Sequence, residues 1–286
     1  MRILLIGKNG QAGSALQRAL AHLGVVIATD RAGLDLLDLN SIREKTGKEK
    51  PDVIVNAAAY TAVDRAETDR AAAFAVNASA VEVLAGEAKR LQALLVHFSS
   101  DYVFDGDKTG AYTEADAPAP INVYGESKLA GERLVTASGC RHFIFRTSWV
   151  YGPRGRNFLC AILAAARAKP ELRVVDDQHG APTSGEAIAA AVAQILSDSD
   201  LSKMPSGIFH LSAAGQTTWH GFAKEILARN ALRTPVMPIS SAEYSAQARR
   251  PKNSLLDNAK LKQTFGVALP DWRQGLSEIS SKINTL

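Results

Sequence analysis

The chain has 286 residues, of which 46% are hydrophobic and 22% charged, the balance of a globular protein long enough to bury about 75% of its unfolded surface. Its 33 basic and 29 acidic side chains leave a formal charge of +4; the densest basic group, Arg249-Arg250 with Lys252, is too thin for a nucleic-acid stripe and suits a protein that handles diphosphates. Cys140 and Cys160 have neither the number nor the spacing of a disulfide framework or zinc site, the apolar opening ends at Gly7, too soon for a signal-peptide core, and no uninterrupted apolar stretch approaches the length of a membrane span, so the expected setting is a reducing cytoplasm with no membrane partner.

Ile3–Ile6 is a short apolar run stopped by Gly7, the pattern of a buried parallel strand. Ser14–Leu23 carries Leu16, Leu20 and Leu23 at helical spacing. Val25–Ala28 predicts a second strand before Asp30, Ile42–Lys50 a crossover helix, and Val53–Val55 a third strand ending at Asn56. The Ala-rich run Ala71–Leu91 predicts a long helix and Leu94–Phe98 a fourth strand. Ser127–Val135 continues a helix that starts near Tyr124, and His142–Phe145 predicts a fifth strand. This alternation predicts an α/β fold: a Rossmann doubly wound parallel sheet with right-handed crossovers.

The character changes after Trp149. Asp176–Ser184 is polar and contains Gly and Pro, Glu186–Leu196 predicts a helix, and Gly207–Leu211 a late strand. Trp219–Asn230 predicts another helix, and Tyr244–Asn253 is irregular. The expected organisation is a dinucleotide-binding Rossmann domain over 1–148, joined by a late strand near 207–212, and a smaller substrate-binding lobe over 149–286.

The first strand runs into Gly7-Lys-Asn-Gly-Gln-Ala-Gly13. Glycines at 7, 10 and 13 let the chain turn tightly, approach a pyrophosphate with backbone N–H groups and pack the next helix closely, and the helix N-terminus adds partial positive charge. A glycine-rich turn without a ligand would look the same in isolation; its place between strand and helix favours the dinucleotide reading. Asp30, 20 residues past Gly10, is placed for the adenosine ribose hydroxyls, whereas Arg31 suits a 2′-phosphate. The two pull toward NADH and NADPH respectively, and the choice stays open.

Tyr124-Gly-Glu-Ser-Lys128 sets a phenol and an ammonium one helical turn apart on one face. A nearby lysine charge is expected to lower the phenol from its ordinary value near 10 and so make it a proton shuttle for a carbonyl oxygen. Ser99-Ser100-Asp101 falls at the C-terminal end of the fourth strand, where ligands of open α/β sheets bind, and the Ser100 hydroxyl is the expected partner of the reacting oxygen.

These residues resemble the extended short-chain dehydrogenase/reductase superfamily and, within it, the dTDP-4-dehydrorhamnose reductase family. The resemblance runs almost end to end. It includes Asn56-Ala-Ala-Ala-Tyr-Thr-Ala-Val-Asp-Arg-Ala-Glu67, Ser99-Ser-Asp-Tyr-Val-Phe-Asp-Gly106, Asn122-Val-Tyr-Gly-Glu-Ser-Lys128, Phe145-Arg-Thr-Ser-Trp-Val-Tyr151, Asp177-Gln-His-Gly-Ala-Pro-Thr183 and Ala248-Arg-Arg-Pro-Lys-Asn253. It implies reduction of a nucleotide-linked 4-keto sugar by NADPH or NADH, in the service of cell-surface polysaccharide. By position it implies Gly10, Gln11 and Ala12 at the pyrophosphate, Asp30 at the ribose, and Asp38 and Leu39 by the adenine. Ala59, Tyr60, Thr61 and Phe98 would line the cofactor path. Ser100, Tyr124 and Lys128 would be catalytic, and Asp101 and Trp149 would touch the sugar nucleotide.

Trp149 is expected to lay its indole on the apolar face of the deoxy sugar, and Arg249 and Arg250 to close over the diphosphate. The family often has Thr where this chain has Ser100. Some relatives link a dimer through magnesium on acidic residues; Glu186 is one candidate, but Ala15 stands where another acid is expected, so both a magnesium ion and the choice of monomer or homodimer stay open. A sugar-nucleotide dehydratase or epimerase, and a non-catalytic regulatory subunit of the same fold, are the rival readings. Dehydratases carry a second acid after the first, and here Asp101 is followed by Tyr102.

Overall fold

A computed structural model describes residues 1–197 and 203–284. Five strands, β1 (Arg2–Ile6), β2 (Val25–Thr29), β3 (Val53–Asn56), β4 (Leu94–Ser100) and β5 (His142–Thr147), are joined by a late strand, Gly207–His210. They form a six-stranded sheet in the order late strand, β5, β4, β3, β1, β2, and every pairing is parallel. β3 and β5 are buried along their whole length, which is why they read as unbroken apolar runs rather than alternating ones. The strand order reverses at β1, and an open sheet has its ligand crevice beyond the strand ends at such a point.

Helices cover both faces. On one, Leu16 of the first helix (Gln11–Ala19) meets Ile188 and Val192 of Gly185–Leu196. On the other, Ile42, Leu84, Ala88 and Val135 pack under the sheet. The first helix starts at Gln11 and rises straight out of the glycine loop, three residues ahead of the expected start at Ser14. Arg70–Leu91 is one helical run of 22 residues, long and apolar enough to cross a membrane, but half of its apolar window is buried inside the protein. It contains a π-helical turn at Ala75–Ser79, a distortion that often marks functional sites.

A second core gathers Tyr151, Leu159, Phe222, Ile226, Trp272 and Leu276. It is built on the helices Phe158–Ala168, Trp219–Arg229 and Trp272–Asn284 and on the parallel pair Leu172–Val175 with Val236–Ile239. The chain beyond Trp149 does not all go to this lobe. Gly185–Leu196, the late strand and Leu261 of the helix Ala259–Phe265 belong to the sheet's core.

Candidate active site

Gly7 has φ +89, and a Cβ there would lie 2.8 Å from Ala58 N. Only glycine lets the ends of β1 and β3 come this close. A Cβ on Gly13 would lie 2.0 Å from Gly7 O, so Gly13 is a buried packing glycine between helix and loop rather than a residue facing a cofactor. Gly10 heads the helix and provides no side-chain cap, which leaves the first N–H groups for an anion.

Beside this loop lies a cleft of about 790 Å³. Gly7, Gly10, Gln11, Ala12, Asp30 and Arg31 form one side, and Ala59, Thr61, Phe98, Tyr124 and Lys128 the other. It continues into a pocket of about 430 Å³ walled by Leu36, Leu37, Ala59 and Tyr60. Asp38 and Leu39 do not reach that pocket. The Asp38 carboxylate accepts from the N–H of Asn40 (3.0 Å) and Ser41 (3.2 Å) as the cap of the helix Leu39–Glu49, and Leu39 packs on the core beneath. Leu36 and Leu37, just before the cap, take the place expected for them.

Asp30 Oδ2 is held by Lys8 Nζ at 3.3 Å and Asn9 Nδ2 at 3.2 Å, and Lys8 holds the Asp30 carboxyl below its ordinary range. Neither partner was singled out from the sequence. Arg31 is exposed and reaches Asp35 at 3.2 Å. Asp30→Ala is expected to raise the Michaelis constant for NADH roughly tenfold and that for NADPH far less, because only NADH has a free 2′-hydroxyl for a carboxylate. Arg31→Ala should do the reverse. Titration of both cofactors against both variants checks this, and equal losses would remove the pair as selectors.

The helix Val123–Ser138 carries both Tyr124 and Lys128. Asn122 caps it, accepting from Gly125 N at 2.8 Å. Cβ atoms on Gly125 and Gly131 would lie 2.1 Å from Tyr102 O and 2.2 Å from Asn77 O, so both glycines let the helix lie directly on its neighbours. Asn77, in the π turn, accepts from Tyr60 N (2.9 Å) and donates to Tyr60 O (3.0 Å) and Ser127 Oγ (2.9 Å). It ties the loop at Tyr60 to the helix that carries Tyr124 and Lys128. Nothing in the linear spacing signalled it.

The electrostatics differ from expectation. Burial pushes the Tyr124 phenol up to about 12, with the Ser100 hydroxyl opposing and the Asp101 charge adding. Lysine does not lower it here. Lys128 Nζ donates to Phe98 O at 2.7 Å, and burial pushes Lys128 down to about 8 against the pull of Glu132. The phenol is therefore in its acid form at neutral pH.

Ser100 Oγ donates to Asp101 Oδ1 at 3.0 Å and accepts from Tyr102 N at 3.1 Å. Ser100 and Asp101 are 6% and 3% exposed and lie just behind the cleft wall. Asp101 Oδ2 is buried without a hydrogen-bond partner. Burial pushes the Asp101 carboxyl up to about 6, the hydroxyls of Ser254 and Ser100 opposing.

On the other side, Trp149, two residues past the end of β5, has φ +48 and stacks on Trp219, centroids 3.6 Å apart and planes within 10°. A Cβ on Gly180 would lie 2.5 Å from Trp149 Cε2, 2.7 Å from Cζ2 and 2.9 Å from Nε1, distances that put it over the ring. The 3.6 Å gap to Trp219 has no room for it, so Gly180 covers the opposite face. Both faces of the indole are occupied, and only its edge is left for a sugar. Arg250 makes a two-pronged bond to Asp64, at 3.0 and 2.8 Å. Arg249, Arg250 and Lys252 line a cavity of about 350 Å³ with Gln178, Ser241 and Tyr244. Glu186 pairs with Arg18 and Lys282, Ala15 is buried in the core, and no cluster of three or more metal-ligating side chains occurs among the described residues. Those residues do not fit a magnesium ion.

Residues 1–285 match the family described as the RmlD substrate binding domain. A dTDP-4-dehydrorhamnose reductase of Burkholderia thailandensis is 46% identical over 285 residues, covering 96% of each chain. The chain belongs to the dTDP-4-dehydrorhamnose reductase family. Two solved members superpose closely. The Bacillus anthracis reductase, in complex with NADP, has a TM-score of 0.93 at 34% identity over 98% of this chain and 99% of that one. The Clostridium acetobutylicum reductase has a TM-score of 0.94 at 35% identity over 99% and 100%. Family membership makes this an oxidoreductase with the Rossmann α/β fold and a nicotinamide dinucleotide as cofactor.

Proposed function

We propose that the protein reduces the C4 keto group of dTDP-4-dehydro-L-rhamnose to dTDP-L-rhamnose, with Tyr124 giving the proton. The observation that carries this is Tyr124 itself, a phenol on the wall of the glycine-loop cleft that burial keeps protonated. Reduction of a carbonyl needs an acid at its oxygen; an enzyme that oxidises the alcohol needs a base there.

The cleft fits a dinucleotide. The uncapped helix start at Gly10 faces the pyrophosphate position, and Asp30 and Arg31 flank the adenosine end. The chemistry that NADPH or NADH supplies when bound is a hydride to the carbonyl carbon. Tyr124 holds the proton that the carbonyl oxygen takes. Lys128, nine-tenths and more buried against Phe98, lies on the cleft wall with Tyr124, where its ammonium can donate to the hydroxyls of the nicotinamide ribose. Gly10 to Ala12 bind, Ser100 and Tyr124 act on the oxygen, and the buried wall of β4 keeps water away.

Arg249 and Lys252 bring positive charge to the second cavity, which Asp105 and Asp107 also line, and the Arg250 guanidinium, paired with Asp64, keeps planar N–H donors of the kind that suit a diphosphate. Arg250→Ala is expected to raise the Michaelis constant for the sugar nucleotide roughly tenfold and leave that for NADPH within about twofold. Steady-state kinetics with each substrate varied in turn reads this; an unchanged sugar-nucleotide constant in a folded variant returns Arg250 to a purely structural tie with Asp64.

An activated deoxy sugar is a glycosyl donor, which fits a supply role for cell-surface polysaccharide from a cytoplasmic setting. The deciding experiment is NMR of the product formed from dTDP-4-dehydro-L-rhamnose and NADPH. A rhamno product supports the reading, a talo product assigns another reductase, and no oxidation of NADPH overturns it.

A further inference from the structure

We propose that Asp101 is a positioning residue for this reduction: whether it carries a proton decides which way the Ser100 hydroxyl points. The inference rests on the reductase reading above and adds a group to it that never touches the reacting atoms.

Ser100 Oγ has one proton and two lone pairs. One lone pair takes the N–H of Tyr102 and the proton goes to Asp101 Oδ1. In that arrangement the serine presents only a lone pair to the site. A lone pair repels a carbonyl oxygen that gains negative charge as hydride arrives, whereas stabilising that oxygen needs a donor. The count changes when Asp101 is the acid. Its O–H then donates to Ser100 Oγ, both lone pairs of the serine are used, and the serine proton turns to the substrate oxygen. Two donors, Ser100 and Tyr124, then converge on that oxygen.

The surroundings raise the share of the acid form. Asp101 is buried, no ion pair reaches it among the described residues, and Oδ2 has no partner. The titratable groups facing it are Tyr102 of its own turn and Tyr124 of the catalytic helix, both neutral, and each phenol is pushed up by the Asp101 charge. Ser254 approaches from the segment after the arginines. The Arg250 and Asp64 pair, beyond Tyr102, cancels its own charge. Burial carries the carboxyl up to about 6 even against the hydrogen bonds of Ser254, Ser100 and the backbone of its own turn, and a sugar closing the site removes more water.

The test is the pH profile of kcat/KM for the keto sugar. Wild type is expected to lose activity as pH rises through a limb near 6, because Asp101 gives up its proton there. In Asp101→Asn the amide donates to Ser100 Oγ at every pH, so the serine proton faces the substrate throughout, the low-pH activity persists as pH rises and that limb is absent. Ser100→Ala should lower kcat and erase the same limb, and adding Asp101→Asn to it should change kcat less than twofold, since one residue acts through the other. An unchanged limb in Asp101→Asn overturns the proposal. So does a loss from Asp101→Asn that is as large in the Ser100→Ala background as without it. If Asp101→Asn does not fold, the profile of Ser100→Ala decides alone, and a limb that survives there overturns the proposal. A wild type that never reduces the keto sugar sinks the reductase reading and this inference together; a working reductase with an unaltered limb sinks only the role of Asp101.

Discussion

Tyr124→Phe should lower kcat by ~10²–10⁴-fold, the usual worth of a positioned proton donor, and leave the fold and NADPH binding nearly as they are. The substitution removes one oxygen. The ring keeps its edge-on packing against Tyr102, 5.7 Å between centroids, and the Asn122 cap and the glycine contacts that seat the helix are untouched. Lys128 keeps its bond to Phe98. Without the phenol, only Ser100 and water can supply the carbonyl oxygen. A thermal melt and cofactor titration verify the fold, and steady-state turnover gives the answer. Turnover near that of wild type would remove Tyr124 from the chemistry.

The second large effect is on stability. Glu132 and Arg146 are both 2% exposed and make two parallel bonds, Nε to Oε1 at 2.8 Å and Nη2 to Oε2 at 2.6 Å. The guanidinium also lies over the Phe104 ring, 5.0 Å from its centroid, and Nη1 is buried without a partner. Glu132→Leu leaves an arginine charge stranded in the core and is expected to cost about 3–5 kcal/mol. That is a large part of the ordinary stability of a folded domain. Adding Arg146→Met removes the stranded charge and should recover most of the loss, since an apolar pair of similar volume is often neutral. Urea midpoints of the three proteins measure it. A single variant as stable as wild type would mean that water reaches the arginine. Glu132 also lies one turn from Lys128 and pulls its pKa upward, so the single variant should bind NADPH less well even where it is folded.

What could be read along the chain was whatever depends on neighbours in sequence. β1, the glycine loop and the first helix are contiguous, and Tyr124 and Lys128 sit one turn apart, so periodicity and spacing found both. The helix Phe158–Ala168 passed unnoticed because its run of alanines and other apolar residues shows no polar face to set the period. Trp272–Asn284 carries its apolar residues on a narrow stripe among many serines and charges. At the site, the residues that escaped are joined only through space. Lys8 and Asn9 meet Asp30 across the strand ends, Asn77 reaches Tyr60 and Ser127 from a π turn, and Asp64 meets Arg250 across 186 positions. Burial had the same effect on the electrostatics. Spacing alone favours a lysine that lowers the phenol, but desolvation of both groups is a property of the folded wall around them.

The late strand has a consequence for how the molecule is made. Gly207–His210 completes the sheet beside β5, and the helix that covers the same core, Gly185–Leu196, is also supplied late. A chain emerging from the ribosome therefore exposes the open edge of β5 and the bare apolar side of its first helix until more than two-thirds of it has been synthesised. An unpaired strand edge is a template for pairing with other chains, and nascent chains in that condition are prone to association. The topology makes the nucleotide half a product of the finished chain rather than a module that folds first and waits for its partner lobe.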